Sequence, residues 1–153
     1  MKLRSTMLAI LPLAAVLVAW RGTPPPPAPV LHVVKSPTCG CCTAWAKYME
    51  SQGFTVEVDD RTDMAALIKL KRANGVTPQL EACHTAFVDG LVVEGHVPAD
   101  LVKRLLRTRP KGVKGVSAPG MPQGSPGMEG PVKERYTVYT FDAQGKATPY
   151  AQR

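Results

Sequence analysis

The chain has 153 residues and carries 19 lysines and arginines against 12 acidic residues, a formal charge of +7. This length suffices for one domain with its own core and is too short for two domains of ordinary size. The basic residues are scattered and only 6% of the residues are aromatic, whereas nucleic-acid binding concentrates basic residues on one face among stacking rings. We therefore expect a solvated basic surface and no nucleic-acid partner.

The first 19 residues have the pattern of a signal peptide. A positively charged start precedes an apolar run at 7–20, which is shorter than the roughly 20 residues that span a bilayer as a helix. Cleavage after Ala19 would leave a proline-rich spacer at 20–29 and a domain at 30–151, with no membrane span. An uncleaved N-terminal anchor is the alternative, and both interpretations predict an exported domain.

Strand and helix periodicities divide residues 30–110 into seven elements. The spacing of Trp45, Tyr48 and Met49 gives the first helix an apolar stripe, and Asp89-Gly90 is a strong hairpin signal. In chain order we predict a strand at 30–34, a helix from 41 or 42 to 52, a strand at 54–58, a helix at 64–72, strands at 85–88 and 91–94, and a helix that has Pro98 at its first position and stops before Pro110.

The order β-α-β-α-β-β-α is the thioredoxin-like arrangement, so we predict an α/β fold of this kind. A Pro/Gly/Met-rich stretch at 110–131, too irregular for a helix or strand, and a C-terminal hairpin of strands at 136–141 and 146–151 are added to it. In such a layout the junction of the first strand and first helix lies beside the loop that enters the third strand. The cysteines at 39–42 are therefore expected to meet Cys83.

Three of the four cysteines lie within Cys39-Gly40-Cys41-Cys42, at the predicted start of the first helix. Free N–H groups and the helix dipole stabilise thiolates at such a position. Cys39 and Cys42 have the C-x-x-C spacing of a redox motif, but the thiol of Cys41 would compete in a two-electron exchange. An additional thiolate suits a polynuclear metal site, where one sulfur bridges two ions.

The softness of the donors indicates the metal. Thiolate and thioether ligands select Cu(I), zinc or iron–sulfur clusters. An exported chain disfavours an iron–sulfur cluster, and the cysteine spacing fits tetrahedral zinc poorly. Thioether donors favour copper, because methionine has little affinity for zinc. We predict copper, as several Cu(I) ions per chain, with zinc as the alternative.

Histidine and methionine side chains could complete the donor set. His84 follows a motif cysteine, and we favour a site role over a hydrogen bond within the loop. His96 is equally well interpreted as a ligand or as a surface cap. Met121 and Met128 belong to a repeated Pro-Gly-Met sequence without core periodicity, so we predict a ligand or lid role rather than core packing. Lys35 either is solvated or lowers the pKa values of the thiols.

Several ungapped motifs carry a family resemblance, and they are Lys35-Ser36-Pro37-Thr38-Cys39-Gly40-Cys41-Cys42, Cys83-His84-Thr85-Ala86, Val88-Asp89-Gly90, Val93-Glu94-Gly95-His96-Val97-Pro98-Ala99 and Pro119-Gly120-Met121-Pro122-Gln123-Gly124-Ser125-Pro126-Gly127-Met128-Glu129. Through them residues 30–151 resemble the CopG-type bacterial copper-resistance proteins, long catalogued as a domain of unknown function. The resemblance implies a periplasmic protein with a thioredoxin-like fold, a cysteine-bridged multinuclear copper site and interconversion of Cu(I) and Cu(II).

The resemblance also implies roles for individual residues. It makes cluster thiolates of Cys39, Cys41, Cys42 and Cys83. His96 and the methionines of the two Pro-Gly-Met sequences match positions of the family motifs.

The sequence thus predicts an exported protein that holds Cu(I) in a thiolate site for copper resistance. Metal ions and other periplasmic copper-handling proteins are the predicted partners. Two other classes stay open: a thioredoxin-like thiol oxidoreductase that uses Cys39 and Cys42, and a zinc-stabilised binding module. Copper redox chemistry is the one activity that these residues suggest, since no hydrolase or transferase signature is visible.

Overall fold

A computed structural model describes residues 27–153, so the predicted signal peptide and most of the predicted spacer lie outside the described residues. The described part contains three helices and seven strands. In chain order they are β1 (Val30–Lys35), α1 (Gly40–Ser51), β2 (Thr55–Asp60), α2 (Met64–Ala73), β3 (Thr85–Val88), β4 (Leu91–Gly95), α3 (Ala99–Thr108), β5 (Gly115–Ala118), β6 (Thr137–Phe141) and β7 (Ala147–Gln152).

All seven strands form one mixed sheet in the order β2-β1-β3-β4-β5-β6-β7. β1 pairs with β2 in parallel and with β3 in antiparallel orientation, and β3 and β4 form an antiparallel hairpin. β5 runs parallel to β4, and β6 and β7 continue the sheet in antiparallel orientation. The predicted α/β element order and the predicted C-terminal hairpin are both observed.

Two apolar clusters lie on opposite faces of this sheet, because side chains alternate along each strand. On β4, Val93 belongs to the larger cluster and Val92 to the smaller one. The larger cluster joins the sheet to α1 and α3. The apolar stripe predicted for α1 is part of it: Trp45 and Met49 are fully buried, and Trp45 Nε1 donates a hydrogen bond to Val97 O at 3.0 Å.

The segment predicted to be irregular contains a strand, β5, and that prediction was wrong for residues 115–118. The strand pairs with β4 on one side and β6 on the other, and its four residues are all buried. Gly115 permits this insertion, because a Cβ there would lie 2.5 Å from Val92 O and 2.6 Å from the Phe141 ring. Hydrogen bonding to β4 and β6 and burial thus make residues 115–118 a strand, although the residues around them are rich in proline and glycine.

The helix boundaries differ from the prediction by one or two residues: α1 ends at Ser51 rather than 52, α2 ends at Ala73 rather than 72, and the starts of α1 and α3 also shift. α1 begins at Gly40 rather than at 41 or 42, since Cys39 takes the N-cap position. Pro98 is the N-cap of α3 rather than its first helical residue, and its extended backbone (φ −61°, ψ 139°) ends the turn that follows β4. The cysteine motif thus forms the N-cap and first turn of α1, and His96 lies two residues before the N-cap of α3.

Candidate metal centre

The start of α1 carries three cysteines. The N–H of the N-cap residue Cys39 donates to Ser36 O at 3.1 Å, which closes the turn after β1. Cys41 and Cys42 lie in the first turn, which contains no acidic residue. Free backbone N–H groups and the positive end of the helix dipole therefore lie beside these sulfurs.

Two of these cysteines are joined to each other. Cys39 and Cys42 form a disulfide with a Cα–Cα distance of 5.3 Å, within the usual range for such bonds. Cys41 and Cys83 are free thiols. Cys41 Sγ lies 3.5 Å from Cys39 Sγ, so a third sulfur is in contact with the disulfide.

The fourth cysteine reaches the same point from the loop that enters β3. The Sγ atoms of Cys39, Cys41, Cys42 and Cys83 all lie within 4.8 Å of one another. The topology predicted this convergence, and the structure shows it. Four sulfurs at such distances can be ligands of one soft metal ion or can bridge several.

A second donor group shares Cys83 with the first. Ligand atoms of Cys83, His84 and His96 also lie within 4.8 Å of one another. Cys83 is thus common to a group of four sulfurs and a group that contains two imidazoles. A sulfur in this position has the placement that a bridging thiolate requires.

The hydrogen bonds of His96 fix its tautomer. Its Nδ1 lies 2.8 Å from Pro126 O, a group that only accepts, so Nδ1 carries the proton. Nε2 therefore presents a lone pair and lies 3.1 Å from Cys83 Sγ. Burial lowers the pKa of His96, although the Pro126 carbonyl and Glu129 act in the opposite direction. A neutral imidazole whose other nitrogen binds a carbonyl is the usual form of a metal-ligating histidine.

His84 is buried completely and lacks a full set of hydrogen bonds. Its Nδ1 lies 3.5 Å from Cys83 Sγ, while Nε2 has no hydrogen-bond partner among the described residues. The ring packs against Trp45 at 4.4 Å between centroids and meets His96 edge-on at 5.1 Å. Burial above all, and then His96, Lys71 and Lys35, hold the pKa of His84 well below its usual value. Its imidazole is therefore neutral, and its Nε2 is free to bind a further partner.

The protonation of Cys83 follows from its surroundings. Burial raises the pKa of the Cys83 thiol to about 12, nearby Cys41 adds to the rise, and Lys71 opposes it. In the metal-free protein Cys83 therefore keeps its proton. A metal ion that binds this sulfur must displace that proton, so its affinity for the site rises with pH.

The two Pro-Gly-Met sequences occupy different places. Gly127 lies against the start of α1, since a Cβ there would be 2.7 Å from Trp45 N and 2.8 Å from Cys41 O. Its neighbour Met128 is half-buried. Residues 126–128, which contact His96 and the start of α1, are called the covering segment below. Met121 is 54% exposed and lines a surface cavity with Glu134 and Tyr136. The structure thus brings the four cysteines and two histidines together, with Met128 in the covering segment and Met121 in a separate cavity.

Comparisons with known proteins agree with this centre. Residues 80–128 match the family described as "Protein of unknown function, DUF411". Two solved structures, copper resistance protein CopG in form 1 and form 2, are each 38% identical to the chain, with TM-scores of 0.74 and 0.75. The alignments cover 83% and 82% of this chain and 98% of each of those chains. The chain belongs to the CopG family. No curated protein matches it.

Membership of the CopG family and the cysteine cluster together support copper-related metal binding. The residues of this CopG-family chain that could hold the metal are those of the two donor groups. In the described part of the chain, no helix has the length and apolar character that crossing a membrane requires.

Beneath the centre lies a buried ion pair that sequence reasoning missed. Lys71 of α2 and Glu94 of β4 are 2% and 0% exposed, and Lys71 Nζ lies 2.5 Å from Glu94 Oε1. Glu94 is the one acidic residue in an otherwise apolar strand, and Lys71 follows the buried Leu67 by one helical turn. These two signals were available in the sequence. Lys35, considered above for thiol activation, is buried too and pairs with Asp60 at 2.7 Å.

Proposed function

We propose that this CopG-family protein binds Cu(I) in a multinuclear thiolate site as part of copper resistance. The observation that carries the proposal is the sharing of Cys83 between a group of four sulfurs and a group with two imidazoles. Thiolates are the soft ligands that Cu(I) prefers, and imidazole accepts copper in either oxidation state. The proposed ligands come from Cys39, Cys41, Cys42, Cys83, His84 and His96, with Met128 and Met121 as further candidates.

Loading requires the Cys39–Cys42 disulfide to open. Reduction takes two electrons and two protons, and a dithiol reductant that supplies them is itself oxidised to a disulfide. The thiols of Cys39, Cys42, Cys41 and Cys83 then release their protons to solvent as Cu(I) binds them. We further propose that the mixed donor set supports interconversion of Cu(I) and Cu(II).

The proposal includes an architecture and a location. The parallel β1–β2 pair, the antiparallel β3–β4 hairpin and the cysteine motif at the start of α1 support a thioredoxin-like unit. The two related structures are of a copper resistance protein, which is consistent with an exported, periplasmic protein. We keep residues 1–19 as the signal peptide, 20–29 as the spacer and 30–151 as the domain.

The test is an anaerobic Cu(I) titration of the reduced protein, with metal content measured by elemental analysis. We expect more than two tightly held Cu(I) ions per chain, and Cys41→Ser should lower that number. Thr43→Ser, two residues along the same helix and exposed, is the matched control and should leave it unchanged. Wild-type binding of a single ion, or full stoichiometry in Cys41→Ser, would contradict the multinuclear site.

A second candidate function is thiol–disulfide exchange, and the Cys39–Cys42 disulfide at the start of α1 favours it. In that case the disulfide form of the metal-free protein would oxidise a dithiol substrate, or its dithiol form would reduce a disulfide substrate. Cys41→Ser would keep most of this activity. The same variant therefore separates the two functions. Absence of tight Cu(I) binding together with a reversible Cys39–Cys42 disulfide would place the protein in the oxidoreductase class.

A further inference from the structure

The buried pair Lys71–Glu94 holds the backbone immediately before Cys83. Lys71 Nζ donates to Ala82 O at 3.1 Å, and Glu94 Oε1 accepts from Ala82 N at 2.8 Å. Both polar backbone groups of Ala82 are thus bound by one ion pair. Ala82, which directly precedes Cys83, cannot change its backbone dihedral angles without losing a charge-assisted hydrogen bond.

The same pair also holds the other side of the Cys83-His84 dipeptide. Lys71 Nζ donates to Thr85 Oγ1 at 2.9 Å, and Thr85 Oγ1 donates to Glu94 Oε2 at 2.6 Å. Lys71 therefore uses all three of its ammonium protons, and both carboxylate oxygens of Glu94 are engaged. The dipeptide that supplies one thiol and one imidazole is clamped at both ends.

The clamp reaches the second histidine through β4. Thr85 and Glu94 are opposite each other in the β3–β4 ladder, and Gly95 N donates to His84 O at 3.0 Å. His96 follows Gly95 directly. Glu94 is thus connected, through its hydrogen bonds and through β4, to the backbone that carries Cys83, His84 and His96.

Packing alone does not explain this pair. A buried ion pair contributes little or no net stability compared with apolar residues of the same volume, because both charges must be removed from water. The remaining residues of β4 are apolar or glycine and are buried, so an apolar residue at position 94 would fit the strand. What the pair does is hold Ala82 and Thr85, on either side of Cys83-His84, by hydrogen bonds.

We infer that Lys71 and Glu94 are positioning residues for the metal centre, which set the place of Cys83 Sγ relative to the sulfurs of α1. This inference rests on the proposed Cu(I) site. Second-shell partners of metal ligands typically change metal affinity by about 10- to 100-fold when they are removed. We expect an effect of that size from loss of the pair.

Two double variants remove the charges together, so that neither charge is left buried and unpaired. The Met/Leu variant, Lys71→Met with Glu94→Leu, removes every hydrogen bond to Ala82. The Met/Gln variant, Lys71→Met with Glu94→Gln, keeps an acceptor for Ala82 N–H and is the conservative rescue. The control pair Arg72→Gln with Glu81→Gln removes a more exposed ion pair that joins the same helix to the same loop, from side chains 38% and 31% exposed.

Cu(I) affinity is measured by competition with a chromogenic chelator, and urea unfolding of the metal-free protein is measured alongside. We expect the Met/Leu variant to lose about 10- to 100-fold in affinity, the Met/Gln variant to lose less, and the control to change by less than about threefold. The Met/Leu change should have a smaller effect in a Cys83→Ser background, where the pair can act only through the two histidines.

A readout without copper separates this inference from the proposed function. In reduced, metal-free protein, alkylation of Cys83 by iodoacetamide, followed by mass spectrometry, should be about tenfold faster in the Met/Leu variant, because its loop opens more often. If wild-type protein binds no Cu(I) but alkylation follows this order, the proposed function fails and the positioning role stands.

Unchanged Cu(I) affinity and unchanged alkylation in a folded Met/Leu variant would overturn the inference. So would an equal loss in the control, or a loss that is undiminished in the Cys83→Ser background. If the Met/Leu variant does not fold, Thr85→Val replaces it, because it removes only the hydroxyl that links the two charges. It should lower Cu(I) affinity about fivefold, the value of one hydrogen bond, and no change would equally overturn the inference.

Discussion

Gly127 lies against the start of α1, and its substitution tests whether this contact holds the segment 126–128 in place. A Cβ on Gly127 would lie 2.7 Å from Trp45 N and 2.8 Å from Cys41 O, and the backbone φ is +82°. Gly127→Ala must therefore either strain this contact or lift the segment from α1. If the segment lifts, the hydrogen bond from His96 to Pro126 O is lost.

The expected cost has two parts. A non-glycine residue in the left-handed region costs about 1–2 kcal/mol, and overpacking against fixed backbone costs about 1–3 kcal/mol. If the segment keeps its place, Gly127→Ala therefore lowers the free energy of unfolding by roughly 2–5 kcal/mol. If the segment lifts, the stability loss is smaller and Cu(I) affinity falls, because His96 loses the partner that fixes its tautomer.

Alanine substitutions at two other glycines of the Pro/Gly-rich stretch separate the cost of the left-handed backbone from the cost of overpacking. Gly120 has a φ of +70°, but a Cβ there would meet no atom within 4 Å, so Gly120→Ala measures the backbone term alone. Gly130 has neither a left-handed φ nor a close neighbour, and Gly130→Ala should change stability by less than about 0.5 kcal/mol. Urea unfolding and chelator competition are the assays. Equal results for Gly127→Ala and Gly130→Ala in both assays would refute the reasoning.

Two further predictions concern the metal-free, reduced protein. Because the pKa values of His84 and His96 are lowered in the folded state, the unfolded state binds more protons, so stability should fall as pH drops below about 6.5. The raised pKa of Cys83 has the opposite sign and should lower stability above about pH 8.5, where the unfolded thiol ionises first. Urea midpoints measured across this pH range report both the acid and the alkaline loss of stability. His84→Leu should make the acid loss smaller. A midpoint that does not change with pH would contradict the argument. Trp45→Phe removes the hydrogen bond to Val97 O and should lower the free energy of unfolding by about 1–3 kcal/mol; an unchanged urea midpoint would show that this bond adds no stability.

Local patterns were sufficient for most of the fold. The first seven elements and the C-terminal hairpin follow from apolar periodicity and turn residues, which act over a few positions. Once their order is known, Cys83 must approach the cysteines of α1. β5 could not be found in this way, because a strand buried on both sides has no alternation, and its neighbours are rich in proline and glycine.

The centre itself was only partly predictable. His96 was equally well interpreted as ligand or cap, and the contact that decides its tautomer comes from Pro126, 30 residues away in sequence. The two Pro-Gly-Met sequences look alike, yet only the second lies on α1, since tertiary packing and not the motif places them. Lys71 and Glu94 lie on different elements, so neither local signal revealed the pair.

Two features that cost stability lie beside Cys83. His84 Nε2 is buried without a partner among residues 27–153, and the ion pair Lys71–Glu94 is desolvated beside Ala82. Each would be unfavourable in a loop with no other task. Together they hold a thiol and two neutral imidazoles in fixed places before any metal arrives. A donor set that is ordered in advance loses little further entropy on binding, which is the physical reason to expect tight metal binding here.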